Sequence, residues 1–117
     1  ALLSGDDFVC VHIEAPDEAT HNGRLDEKLE AIEFLDSRVV APLCGKLDAA
    51  GEQYRILLLS DHKTLMNTRG HGADPVPYLI YDSTKSDGSG LDYTEKNGEM
   101  GPYLPDGTKL MDELFAL

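Results

Sequence analysis

The sequence predicts an α/β domain: a small, mostly parallel sheet, made of a βαβ unit plus a further strand, flanked by helices. Three observations carry this. An apolar run rich in β-branched residues, DFVCVHI (7–13), stands near the start. An amphipathic pattern follows over about 24–50, and a second apolar run, YRILLLS (54–60), comes behind it. Strand, long helix and strand together make a βαβ unit, whose strands are parallel neighbours joined by a right-handed crossover.

DFVCVHI is short and apolar enough to read as a buried strand. His12 within it reads as an interior or face histidine rather than a ligand. In EAPDEATHNG (14–23), Pro16 breaks regularity and Asn22-Gly23 signals a turn. From Arg24 to Ala50 the positions Leu25, Leu29, Ile32, Val39, Leu43 and Leu47 fall on one helical face, and Gly51 closes the helix. Residues 61–74 read as a polar loop. PVPYLIY (75–81) is a third strand, and its two prolines cannot donate to a ladder, so it starts at an edge or outside the sheet. Residues 82–106 read as a Gly-rich surface loop, with Glu95 and Gly101 in it. TKLMDELFAL (108–117) closes the chain as a helix with Leu110, Leu114 and Leu117 on one face.

At 117 residues the chain forms a single domain, 1–117. Its 22 acidic residues outnumber 10 basic ones, for a formal net charge of −12. Such a field repels phosphate backbones and anionic lipid, which argues against nucleic-acid and membrane partners, yet it attracts divalent cations. Cys10 and Cys44 are far apart without a CxxC spacing and read as buried thiols rather than a disulfide. No apolar run approaches the ~18 residues of a membrane span, and no signal peptide is evident, so the expected compartment is the cytoplasm. The chain starts on Ala1 and runs almost at once into a core strand, as a part of a larger protein would.

Ligands of parallel α/β sheets bind outside the carboxyl ends of the strands. Asp17 and His21 follow the first strand, and Asp61 and His62 follow the second, so the two groups converge on one sheet edge. DEATH places Asp17 and His21 four apart, so that if the segment turns helically both side chains face the same way and can share one cation. His71 returns from the loop just before the third strand. Three histidines and two aspartates form a mixed N/O set that suits Zn²⁺ or Mn²⁺ better than Ca²⁺. Five ligands exceed one tetrahedral site and point to two neighbouring metals, an arrangement that clamps attacking and leaving oxygens in phosphoryl chemistry.

DFVCVHIEAPDEATHNGRLDEKLEAIE, LLLSDHKT and HGADPVPYLIY, in that order, resemble the metal-binding half of archaeal-type cofactor-independent phosphoglycerate mutases, of the alkaline phosphatase superfamily. The resemblance implies an alkaline phosphatase-like core. It also implies two Mn²⁺ or Zn²⁺ ions flanking a serine that is transiently phosphorylated as phosphate moves between the hydroxyls of a glycerate. Asp17, His21 and His71 would hold one ion, and Asp61 and His62 would help to hold the second. The family's nucleophilic serine, its first metal-binding aspartate and its substrate-capping insertion have no counterpart here; Ser4 and Ser60 lack the nucleophile's context. Lys63 stands where the family usually has a smaller polar residue.

The expected reading is therefore the carboxyl-terminal metalloenzyme segment of a larger phosphotransferase, with at most one well-formed metal site and no turnover of its own. Its partners would be the amino-terminal half of the same protein and a phosphorylated small molecule. Relatives of the same type proposed as homoserine kinases, and phosphopentomutases with the same metal motifs, give an alternative substrate. A non-catalytic metal-binding or interaction domain is an alternative of another class. It would hide its apolar faces, whereas a segment would expose sheet edges and self-associate.

Overall fold

The long helical stretch expected over 24–50 is present in the computed structural model, which describes residues 1–86 and 88–116. It is continuous but changes register. Helix α2 (Leu25–Phe34) passes into a π-helical segment (Leu35–Val40) and then into α3 (Ala41–Ala49). Pro42 accounts for the change: it has no N–H for the preceding turn and its ring crowds the carbonyl four residues back. A wider π turn absorbs that mismatch without ending the helix. Ahead of it, α1 (Ala15–His21) packs against α2.

Helices α1 and α3 stop by the same device. Gly23 and Gly51 both have φ near +70°. Arg24 N–H then donates to the Ala19 carbonyl at 2.9 Å, and Glu52 N–H to that of Leu47 at 3.1 Å. These are the long-range bonds of a Schellman end, which needs a left-handed residue and so favours glycine.

Beyond α3 the sheet departs from expectation. Strand β1 (Arg55–Leu59) pairs antiparallel with β4 (Tyr78–Asp82), Arg55 opposite Asp82 and Leu59 opposite Tyr78. Within the stretch expected to be loop, β2 (Lys63–Leu65) and β3 (Gly70–Gly72) form a separate antiparallel pair. The mostly parallel sheet is thus absent among the described residues. Parallel neighbours need a crossover of a dozen or more residues, usually a helix, and only the small hairpin lies between β1 and β4. The expected first strand, 7–13, has no ladder partner and no regular secondary structure. Phe8, Val9, Val11 and Ile13 are consequently exposed, and so are Cys10 and His12, neither of which is interior. Cys10 and Cys44 are both free thiols, but the expected burial is not found at either: Cys10 is exposed and Cys44 only half-buried.

The third strand starts at Tyr78, after both prolines, as their missing N–H groups require. In the expected surface loop a short helix, α4 (Glu95–Glu99), is capped by Thr94, whose hydroxyl accepts from Asn97 N–H at 3.1 Å. A 3₁₀ turn (Gly107–Lys109) leads into α5 (Leu110–Phe115), which buries Leu110 and part of Leu114. Leu117, expected on the same face, lies outside the described residues. Arg55 ties α5 to the sheet. Its Nε donates to Asp82 at 2.8 Å, and its Nη1 to the carbonyls of Leu114, at 3.1 Å, and Ala116.

The core is thin. Among the described residues only Ala19, Thr20, Leu47 and Leu110 are buried, and of these only Thr20 completely. The accessible surface is 8790 Å², against roughly 6300 Å² expected for a folded monomer of this mass. The radius of gyration is 15.4 Å, against about 13.4 Å for a compact domain of this length. Among the described residues no helix is long and apolar enough to cross a membrane.

Candidate metal centre

Pro16 sits in the first turn of α1, where its fixed φ suits a helix and its missing N–H costs nothing. The helix then carries Asp17 and His21 one turn apart on one side. The β2–β3 hairpin lies against this face, with Thr64 directly opposite His71 in its register. Residues directly opposite share a face of the ladder, and alternation along the strand brings His62 to the same side as Thr64.

Three ligand atoms meet there. Asp17 Oδ1 lies 3.2 Å from His21 Nε2 and 3.3 Å from His71 Nε2, and the two Nε2 atoms are 3.1 Å apart. Zinc bonds of ~2.0–2.1 Å in tetrahedral geometry put ligand atoms ~3.3–3.4 Å apart, so this triangle matches one face of such a site. A ring nitrogen of His62 belongs to the same neighbourhood, within 4.8 Å of ligand atoms of Asp17 and His71. The His62 ring stacks on that of His71, centroids 3.6 Å apart. Its Nε2 is 3.3 Å from Asp61 Oδ2, while Asp61 Oδ1 accepts the His62 backbone N–H at 3.0 Å. Asp17, His21 and His71 are therefore brought together as one group. Asp61 and His62 form an adjoining pair, with Asp61 turned outward and mostly exposed.

The surroundings hold these side chains in place. Thr64 Oγ1 donates to Asp17 Oδ1 at 2.6 Å. That hydroxyl is the foremost reason the Asp17 carboxyl is held below the usual carboxylate range; burial opposes it, and His21, His71 and His62 add to it. His21 Nδ1 is 2.6 Å from the Arg69 carbonyl, and Lys28 Nζ donates to the Thr64 carbonyl at 2.9 Å, tying α2 to the hairpin. Lys63 points to the opposite side of β2 from Thr64. Its Nζ lies 3.6 Å from Glu95 Oε1 in α4, so its charge is directed away from the ligand cluster.

Sequence reasoning did not find Thr64, Arg69 or Lys28. Period-two alternation from His62 singles out Thr64 once 63–65 is known to be a strand. Arg69 gives no such signal, because it acts through its backbone. Lys28 reads as one of many charges on a solvated helix.

A sequence model of the Metalloenzyme superfamily matches residues 1–105. Over 99 residues the chain is 44% identical to the 2,3-bisphosphoglycerate-independent phosphoglycerate mutase of Methanosarcina acetivorans, covering 81% of this chain and 25% of that protein. It is 42% identical over 115 residues to the protein of the same name from Methanothrix thermoacetophila, covering 97% and 29%. To the probable 2,3-bisphosphoglycerate-independent phosphoglycerate mutase of Geobacter sulfurreducens it is 39% identical over 115 residues, again 97% and 29%. The chain thus spans about a quarter of the length of these curated relatives. No solved structure matches it.

Proposed function

The chain belongs to the Metalloenzyme superfamily, and from that premise we propose that it is the metal-binding part of a cofactor-independent phosphoglycerate mutase. The observation that carries the reading is the triangle of Asp17 Oδ1, His21 Nε2 and His71 Nε2, with edges of 3.1–3.3 Å. Three lone-pair atoms drawn that close suit a shared divalent cation. The donor set fits Zn²⁺ or Mn²⁺: borderline imidazoles with a carboxylate, half open to solvent, so that another ligand can enter. Asp61 and His62 stand beside this site as the half of a second one, which the rest of the parent protein completes.

Bound metals of this kind supply charge neutralisation at a transferring phosphoryl group and activate a hydroxyl nucleophile. The chain's own part is to bind and orient. Asp17 brings anionic charge kept available by Thr64, and His62 stacks against His71 to hold its ring in plane. The nucleophile, the remaining ligands and the contacts to a phosphoglycerate come from the parent's other segments, which also provide a partner for 7–13 to pair as a strand. The exposed Val9, Val11 and Ile13 and the excess surface support that assignment. The same features make turnover by this chain alone unexpected, and a parent acting on phosphoglycerate works in the cytoplasm.

The test is a Zn²⁺ and Mn²⁺ titration of the chain beside an Asp17→Ala, His71→Ala double variant. About one equivalent bound by the wild type and none by the variant supports the site. A full-length parent that does not interconvert 3- and 2-phosphoglycerate with Mn²⁺ would sink the substrate assignment.

A further inference from the structure

Building on the metal-binding reading, we infer that Arg69 is the positioning residue for His21 and acts through its backbone carbonyl, not its charge. A carbonyl oxygen only accepts, so the 2.6 Å contact requires the proton of His21 to sit on Nδ1. In the neutral ring that leaves Nε2 its lone pair, and Nε2 is the atom facing Asp17 Oδ1 and His71 Nε2. Which nitrogen of a histidine can bind a metal is set by the bond its other nitrogen makes. Arg69 thus selects the tautomer and the ring orientation together.

Arg69 holds that carbonyl in an unusual way. Its φ of 55° is the only positive value at a non-glycine among the described residues. In this conformation its N–H donates back to the Leu65 carbonyl at 2.7 Å, closing the β2–β3 turn, while its own carbonyl turns toward α1. The side chain has a separate place. The guanidinium lies over Gly23, where an added Cβ would come within 2.5 Å of Cζ. The glycine that ends α1 therefore also admits Arg69. Arg69 thus joins hairpin to helix beside the Thr64–Asp17 bond, and the helix residue its carbonyl grips is a ligand.

The experiment reads the histidine ring nitrogens of the metal-free chain by long-range ¹⁵N–¹H NMR, then titrates Zn²⁺. Wild type and Arg69→Gly, which adopts positive φ freely and keeps the carbonyl, should both show His21 protonated at Nδ1 and should bind zinc alike. Arg69→Val, whose branched Cβ disfavours positive φ, should lose that tautomer and bind zinc about 10–100-fold more weakly. Arg69→Lys, which keeps a positive charge and a long side chain, should stay close to wild type. Protonation of wild-type His21 at Nε2 overturns the inference, and so does a tautomer lost as fully in Arg69→Gly as in Arg69→Val. The tautomer is read without metal, so an intact pattern in a chain that binds no zinc counts against the metal reading instead.

Discussion

Replacing Thr64 with valine removes one hydroxyl and leaves the shape and strand preference of the side chain nearly unchanged. The hydroxyl donates to Asp17 Oδ1 at 2.6 Å, a hydrogen bond to a charged group worth about 1.5–3 kcal/mol when shielded from water. Asp17 keeps 35% of its side-chain surface exposed, so water replaces part of what is lost, and the lower end of that range applies. About 1.4 kcal/mol corresponds to tenfold in affinity. Substitutions beside metal ligands independently lead to about 10–100-fold. Thr64→Val should therefore bind Zn²⁺ or Mn²⁺ about tenfold more weakly near neutral pH by calorimetric titration. Acid adds a second signature. The Asp17 carboxyl is held below its ordinary value of 3.8, and losing its first cause moves it up, so in the metal-free chain its titration, followed by carboxyl ¹³C NMR, should shift to higher pH in the variant. Lys28→Met, which frees the Thr64 carbonyl but keeps the hydroxyl, serves as the control. Affinity within about twofold of wild type together with an unchanged Asp17 titration would refute the role given to Thr64, since both affinity estimates require about tenfold.

Asp82 is held down to about 2 by Thr84, whose hydroxyl and N–H both bond to it, and then by Arg55. Its stabilising effect is present above its ordinary value of 3.8 and is lost as pH falls toward about 2, so Asp82→Asn should flatten the acid-unfolding curve in that window. Arg55→Met removes the pair with Asp82 and the cap on α5, and should cost about 2 kcal/mol in urea unfolding; a change under about 0.5 kcal/mol would contradict the tie between α5 and the sheet. Gly51→Ala meets no neighbouring atom but keeps a left-handed φ, so it should destabilise by about 1–2 kcal/mol through backbone conformation alone. The purified chain should elute from size exclusion above its monomer mass of 12.8 kDa, because Leu25, Leu29 and Ile32 lie exposed along one side of α2.

The elements whose pattern is local were legible from the sequence. Leucines at helical spacing marked α2 and α3, and Gly51 marked their end. Asn22-Gly23 marked a turn but not the helix before it, since Pro16, read as a break, opens α1 instead; the prolines marked the start of the third strand as unable to join a ladder, and β4 begins after them at Tyr78. Pairing was harder to foresee. The order strand, helix, strand implies parallel neighbours only if both strands find each other, and 7–13 finds no partner among the described residues. The hairpin at 63–72 was hidden because its strands are three residues long and one of them is Gly-His-Gly, too brief for alternation to show.

In the site, Asp17 and His21 could be grouped by helical spacing alone, whereas His71 joins them through a register no periodicity announces. The convergence expected from strand ends came about by a different route, a hairpin leaning on a helix. What fixes the ligands stayed out of sight because two of the three contacts are to backbone carbonyls, those of Arg69 and Thr64. Side-chain identity carries little trace of such bonds.

The ligands of the candidate centre are drawn from distant parts of the chain, with His21 and His71 fifty residues apart. An ion held by both would act as a cross-link. By the loop-closure entropy used for disulfides, fastening a loop of that length removes about 4 kcal/mol of freedom from the unfolded chain. In a domain that buries only four of its described residues, that is a large share of any net stability. Metal supply would then govern how long the polypeptide survives proteolysis, in addition to any chemistry it supports. Chelation would release α1 from the hairpin first, while the β1–β4 ladder and its Arg55 anchor, which share no ligand with the site, would outlast it.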